Sequence, residues 1–196
     1  PAVAADAAGN FVVVWRGGGQ DGSGAGIFGQ RFDAAGARAG SEFQVNTYTT
    51  SSQTKPVAAA AGTGNFVVVW ESYLQDGSSD GVFGQRFNSA GAALGSEFQI
   101  NSYTTGRQGY PAVAATGAGN FIVVWESYLQ DGSSAGVFGQ RFNSAGTALG
   151  SEFQVNTYTT AVQMRPAVAS DGLSNFVVVW TSNGPDGASL GVVGQR

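Results

Sequence analysis

A 55-residue period governs this chain. Trp15, Trp70, Trp125 and Trp180 stand 55 residues apart, and Pro1, Pro56, Pro111 and Pro166 keep the same spacing. Self-similarity at a period of this size signals an array of supersecondary units that bury their apolar faces only by stacking on one another. The units are residues 1–55, 56–110, 111–165 and a partial fourth, 166–196, read together as a single domain or a fragment of one. The second and third units share nearly every residue, including Phe-Asn-Ser-Ala-Gly at 87–91 and 142–146, which points to recent duplication.

Each unit reads as four short extended segments separated by turn residues. Pro1-Ala-Val-Ala-Ala5 is small and apolar, and suits a place where space is tight. Asn10-Phe-Val-Val-Val-Trp15 is apolar on both faces and has to be covered on both sides. Gly26 to Phe32 is mixed, as an outer strand can be. Glu42-Phe-Gln-Val-Asn46 alternates, with Phe43 and Val45 inward and Glu42, Gln44 and Asn46 outward. Between the third and fourth segments, Asp33-Ala-Ala-Gly36 and Asn88-Ser-Ala-Gly91 carry the Asx-first, Gly-fourth signature of a type I turn. No stretch holds apolar residues at helical spacing. The predicted fold is all-β: a β-propeller of four-stranded antiparallel blades, with about four repeats visible and the last incomplete. A β-sandwich or β-solenoid built from the same hairpins is the alternative. The last unit lacks its fourth segment, so an open blade edge able to pair with another chain is expected.

The phrases GNFVVVW, QDGSSAGVFGQRF and GSEFQVNTYT resemble the tandem propeller-type repeats of large bacterial secreted and cell-surface proteins. The resemblance covers the whole chain. It implies an extracellular or cell-surface location and a role in adhesion or recognition.

Composition narrows the chemistry. The chain has no His and no Cys, which removes imidazole bases, the HExxH zinc site, thiolate nucleophiles and disulfides. Its nine basic residues are scattered in a chain of net charge −4, so no nucleic-acid partner is expected. Apolar runs of five or six residues predict no membrane span. The single lysine, Lys55, sits in a polar connector where the other units carry Tyr110 and Arg165, a poor setting for a Schiff base. The chain starts at Pro1 and stops within a repeat, as an excised piece of something longer would.

Several recurring residues have a structural use as their first expectation. The tryptophans fit a core packed between blades, with glycines such as Gly84 making room for the ring. Arg31, Arg86, Arg141 and Arg196 fit inter-strand pairs with carboxylates. The Gln-Asp-Gly loops at 20–22, 75–77 and 130–132, and Pro-Asp-Gly at 185–187, fit Asp-led turns. One Asp per loop is few for calcium, so no cofactor is expected, with calcium at these loops as the alternative. The departure from this pattern is Glu-Ser-Tyr-Leu-Gln at 71–75 and 126–130, which places Tyr73, Leu74, Tyr128 and Leu129 in loops otherwise built of small residues. Loop aromatics at one end of a ring suit sugar stacking or partner capture. Tyr73, Asp76, Tyr128 and Asp131 are therefore the candidate ligand-binding residues, with a glycan or a surface protein as partner. The sequence reading is a noncatalytic recognition or adhesion module, lectin-like in its most concrete form. A structural spacer or self-assembling element, oligomerising through the open edge, is its alternative. A glycosidase stands behind both, because near-identical units offer equivalent sites where catalysis needs one asymmetric constellation.

Overall fold

Runs of β-branched and aromatic residues broken by Gly, Asp and Ser leave these segments one regular option, the strand. The computed structural model describes residues 1–61, 64–184 and 189–196, and among them the chain forms four antiparallel sheets in sequence order. The first holds β1 (Ala2–Ala5), β2 (Phe11–Gly18), β3 (Ala25–Phe32) and β4 (Phe43–Gln44). The second holds β5 (Gln53–Ala60), β6 (Phe66–Tyr73), β7 (Asp80–Phe87) and β8 (Phe98–Gln99). The third repeats this with β9 (Gln108–Ala115), β10 (Phe121–Tyr128), β11 (Ala135–Phe142) and β12 (Phe153–Gln154). The fourth has three strands, β13 (Gln163–Ser170), β14 (Phe176–Ser182) and β15 (Gly191–Gln195). The Ala-rich first strands lie side by side, β5 between β1 and β9, and β9 beside β13. Their small side chains permit that approach.

The core is three inter-sheet layers. Trp70, fully buried, packs with Val12, Val14 and Ile27 of the first sheet. Trp125 does the same against Val67, Val69 and Val82, and Trp180 against Ile122, Val124 and Val137. The doubly apolar β6 and β10 are thus covered on both faces, as their sequence demands, while β2 and β14 at the two ends of the row each keep one face partly open, with Val177 and Val179 exposed.

Three local expectations are corrected. The third strand is not an outer one: β3 is buried from Ala25 to Gln30, because the first strand of the next sheet packs across it. The fourth strand shrinks to two residues, and its terminal Asn turns inward. Asn46, Asn101 and Asn156 are buried and accept the backbone N–H of Ile27, Val82 and Val137 at 2.7–2.8 Å, so a side-chain carbonyl substitutes for ladder backbone. Gly84 makes room for the fourth strand, not for tryptophan: a Cβ there would sit 3.3 Å from Phe98 and from Ile100.

The arginines also go elsewhere. Arg86 donates to the carbonyl of Ser144 in the third sheet at 2.7 Å and to that of Leu94 at 2.9 Å. It crosses Gly146, where a Cβ would stand 2.7 Å from Arg86 Nε. Arg31 reaches the carbonyl of Ala90 in the same way. These guanidiniums tie sheet to sheet through backbone carbonyls, and not through carboxylates.

Candidate active site

At one end of the first strands the ladder breaks in the second, third and fourth sheets. Register shifts flank residues 55–56, 110–111 and 165–166. Lys55, Tyr110 and Arg165 sit there in the left-handed region, at φ 50°, 50° and 52°. Proline follows each, and having no N–H it leaves no donor orphaned in the bulge. Non-glycine residues in that region cost of order 1–3 kcal/mol and persist only where their surroundings hold them. The holding group is a carboxylate from the preceding sheet. Tyr110 N–H donates to Glu71 of β6, and Arg165 N–H donates to Glu126 of β10. The first sheet carries exposed Arg16 at this register, which cannot accept.

Around these latches stands a cluster of charge. Glu71, 2% exposed, receives Lys55 Nζ at 2.9 and 3.0 Å and Arg107 Nη2 at 3.3 Å. Arg107 Nε donates to Asp80 Oδ2 at 3.0 Å. Lys55 Nζ also lies 3.4 Å from the Tyr110 ring centre, and the Arg107 guanidinium is 4.8 Å from Tyr110 and 5.9 Å from Tyr128. Gly109 is required by this packing, since a Cβ would come within 2.6 Å of Glu71 Oε1. Lys55, Tyr110, Arg165 and their prolines line an opening of about 340 Å³ between the sheets. A larger cleft, about 670 Å³, lies at the other end between the second and third sheets. Its one charged lining residue, Arg86, is already bound to backbone.

Electrostatics separates the carboxylates. Burial pushes Glu126 above the ordinary carboxylate range, outweighing the Arg165 N–H bond and the pull of Arg107 and Lys55, and the charge of Glu71 adds to the rise. Burial pulls the Arg107 guanidinium down, but Glu71, Asp80 and Glu126 together leave it raised. Both oxygens of Glu71 are occupied. Asp80 shares one oxygen with Arg107 and is about a quarter exposed at the side chain.

The composition of the cluster is its most informative property. At residue 107 the flanking units carry Ser52 and Val162; at 110, Lys55 and Arg165; at 80, Ala25, Ala135 and Leu190. Almost everywhere else the second and third units agree. Of the positions that differ in charge between them, Asp80, Arg107 and Tyr110 against Ala135, Val162 and Arg165, Tyr110 and Arg165 line the opening, and Asp80 and Arg107 belong to the charge cluster beside it. The sequence reading met Tyr110 and Arg165 only as the counterparts of Lys55, and passed over Asp80 and Arg107. Aligning the units and marking charge differences is the signal that finds them.

The residues singled out from sequence divide. Tyr128, 37% exposed, lies beside Arg107 and so belongs to the cluster. Tyr73, 45% exposed, ends β6 at the same end, its N–H bonded to the Ser52 carbonyl. Asp76 and Asp131 sit in their loops, accepting Ser78 N–H and Ser133 N–H at 3.1 Å, with the other oxygen against Gly81 and Gly136. The structure therefore brings Tyr128, and not the two aspartates, to the charged mouth. The fourth loop, 185–187, lies outside the described residues. Among the described residues no three carboxylates form a cation cage.

No family model matches the sequence, and no curated protein does at a significant level. Solved structures do match in fold. A protein of unknown function from Dyadobacter fermentans superposes with a TM-score of 0.65 at 13% identity, over 95% of this chain and 49% of that one. The endo-arabinase of Bacteroides thetaiotaomicron gives 0.53 at 12%, over 96% and 71%. The α-L-arabinofuranosidase of Lactobacillus brevis gives 0.51 at 10%, over 88% and 62%. The chain thus spans about half to seven tenths of these proteins. The expectation of a noncatalytic adhesion or recognition module, with a spacer as alternative, is corrected by this finding, because the fold is one that glycan-cleaving enzymes use. Near-identical units do not preclude one asymmetric site, since their divergent positions converge at a single mouth.

Proposed function

We propose that the four sheets are blades of a β-propeller and that the chain carries the active mouth of a propeller-type glycoside hydrolase. The observation behind this reading is the convergence of Asp80, Arg107, Tyr110, Glu71 and Glu126 at one end of the first strands, in repeats otherwise nearly alike. Glycosidic hydrolysis takes one carboxylic acid held protonated and one carboxylate held ionised. Glu126, raised by burial, is the acid. Asp80, paired with Arg107 and partly open to solvent, is the base. Glu126 gives its proton to the glycosidic oxygen as the bond to the anomeric carbon breaks. A water adds its oxygen to that carbon and its proton to Asp80. Arg107 donates through Nε to Asp80 and holds it in place. Tyr128 supplies an aromatic face for a sugar ring. Glu71, with every oxygen engaged, holds the cations in place. The endo-arabinase and the arabinofuranosidase support a glycan as substrate.

The test is turnover of a polysaccharide panel that includes arabinan, read by reducing ends. Activity lost at least 100-fold in both Glu126→Gln and Asp80→Asn, with circular dichroism unchanged and melting temperature no lower than wild type, is expected. Wild-type rates in either variant, or no turnover of any glycan, refute the assignment.

A further inference from the structure

We infer that this mouth selects a glycan bearing carboxylates, a uronate polymer, and that Arg165 is the residue that reads the acid group. The inference deepens the hydrolase reading and rests on it for the location of the site. The chain as a whole is acidic, at net −4, with nine basic residues. Three of the nine, Lys55, Arg107 and Arg165, stand at this one opening or directly behind it. A fourth, exposed Arg16, occupies in the first sheet the register that Glu71 and Glu126 hold in the next two, so no acid faces the mouth from that side. Against them stand Glu71 and Asp80, both already paired, and Glu126, which burial disposes to the neutral form.

The cations are not equivalent. Lys55 and Arg107 are spent on Glu71 and Asp80 and on the ring of Tyr110. Arg165 is exposed, lines the opening, and among the described residues its guanidinium has no hydrogen-bond or ion-pair partner. Its backbone is nevertheless fixed, since its N–H is held by Glu126 and Pro166 follows in the bulge. A guanidinium on a pinned backbone, at an opening that Tyr110 also lines, is a preorganised partner for a planar carboxylate, which it meets with two parallel N–H bonds. A neutral sugar offers that fork only uncharged hydroxyl acceptors, without the charge or the paired planar oxygens of a carboxylate. The unit-to-unit change at this position, Lys55 to Tyr110 to Arg165, gives one arginine and not a ring of three, which suits one uronate ring in one orientation.

The experiment is calorimetric binding to oligomers of galacturonate, glucuronate and mannuronate, each against its carboxyl-reduced counterpart, with turnover measured in parallel. Glu126→Gln protein is used wherever the wild type cleaves the probe. At least one uronate oligomer is expected to bind about tenfold tighter than its reduced form. The preference is expected to fall at least fivefold in Arg165→Gln and to be largely retained in Arg165→Lys. Arg165→Gln alters an exposed side chain without partners, so a normal melting curve accompanies the loss. Equal affinity for every acidic and reduced pair, or a preference unchanged by Arg165→Gln, overturns the inference. Charge preference without turnover keeps it and removes the hydrolase reading. Turnover of neutral glycans without charge preference does the reverse.

Discussion

The carboxylate of Glu71 makes two separable contributions, and two substitutions tell them apart. It accepts the N–H of left-handed Tyr110 in the next sheet, and it pairs with Lys55 and Arg107. Glu71→Ala removes both. A buried N–H without an acceptor costs about 1–3 kcal/mol. The stranded cations cost less, because Lys55 and Arg107 are 37% and 25% exposed at the side chain and water screens them, about 0–1 kcal/mol each. The expected loss is about 3 kcal/mol. Glu71→Gln keeps an oxygen for Tyr110 N–H and turns its amide toward cations that can swing into solvent, so about 1 kcal/mol is expected. Urea unfolding reads the difference: with a slope of about 2 kcal/mol/M, the alanine midpoint falls by about 1.5 M and the glutamine midpoint by about 0.5 M. A glutamine variant as unstable as the alanine one refutes the latch and makes the ion pairs the larger of the two contributions.

Three further outcomes follow from the same geometry. Because burial raises Glu126, the folded state holds its proton above the unfolded value of about 4.5, so the stability of the wild type falls as pH rises through that window; Glu126→Gln, which still accepts Arg165 N–H, is expected to melt higher than wild type at pH 7 and to lose the advantage at pH 4. Gly84→Val drives methyl groups into Phe98 and Ile100 and is expected to cost about 1–3 kcal/mol by thermal melting, with the Trp70 fluorescence maximum of the folded protein unshifted because the ring lies on another face. Arg86→Ala cuts the ties to Ser144 and Leu94 and is expected to lower stability by about 1–2 kcal/mol in urea unfolding, while Arg86→Lys recovers only part of it.

Much of the architecture is legible in the chain. Apolar runs such as Phe66 to Trp70 have one stable use, a strand covered on both faces, and the period of 55 dictates that each unit supplies the cover for the next. The Asp-led turns at 21, 76 and 131 follow from side chains that bond their own backbone two residues on, a local matter that sequence decides alone. The inward Asn101 and the buried third strand were not legible, because an Asn within an alternating segment reads as exposed until a neighbouring N–H is found to need it.

The site belongs wholly to tertiary structure. Glu71 meets Lys55 sixteen residues back and Tyr110 thirty-nine residues on, in two different sheets. Repetition tells that such positions recur, and composition tells that their charges differ from unit to unit. Only the stacking of sheets about their first strands brings the differing residues to one end of the fold, where burial raises Glu126 and a pinned arginine faces solvent. Local preference sets which residues form strands, since it acts over a few bonds. The chemistry was decided by packing, since the field at a carboxylate depends on what lies within a few ångströms and not on what is near in sequence.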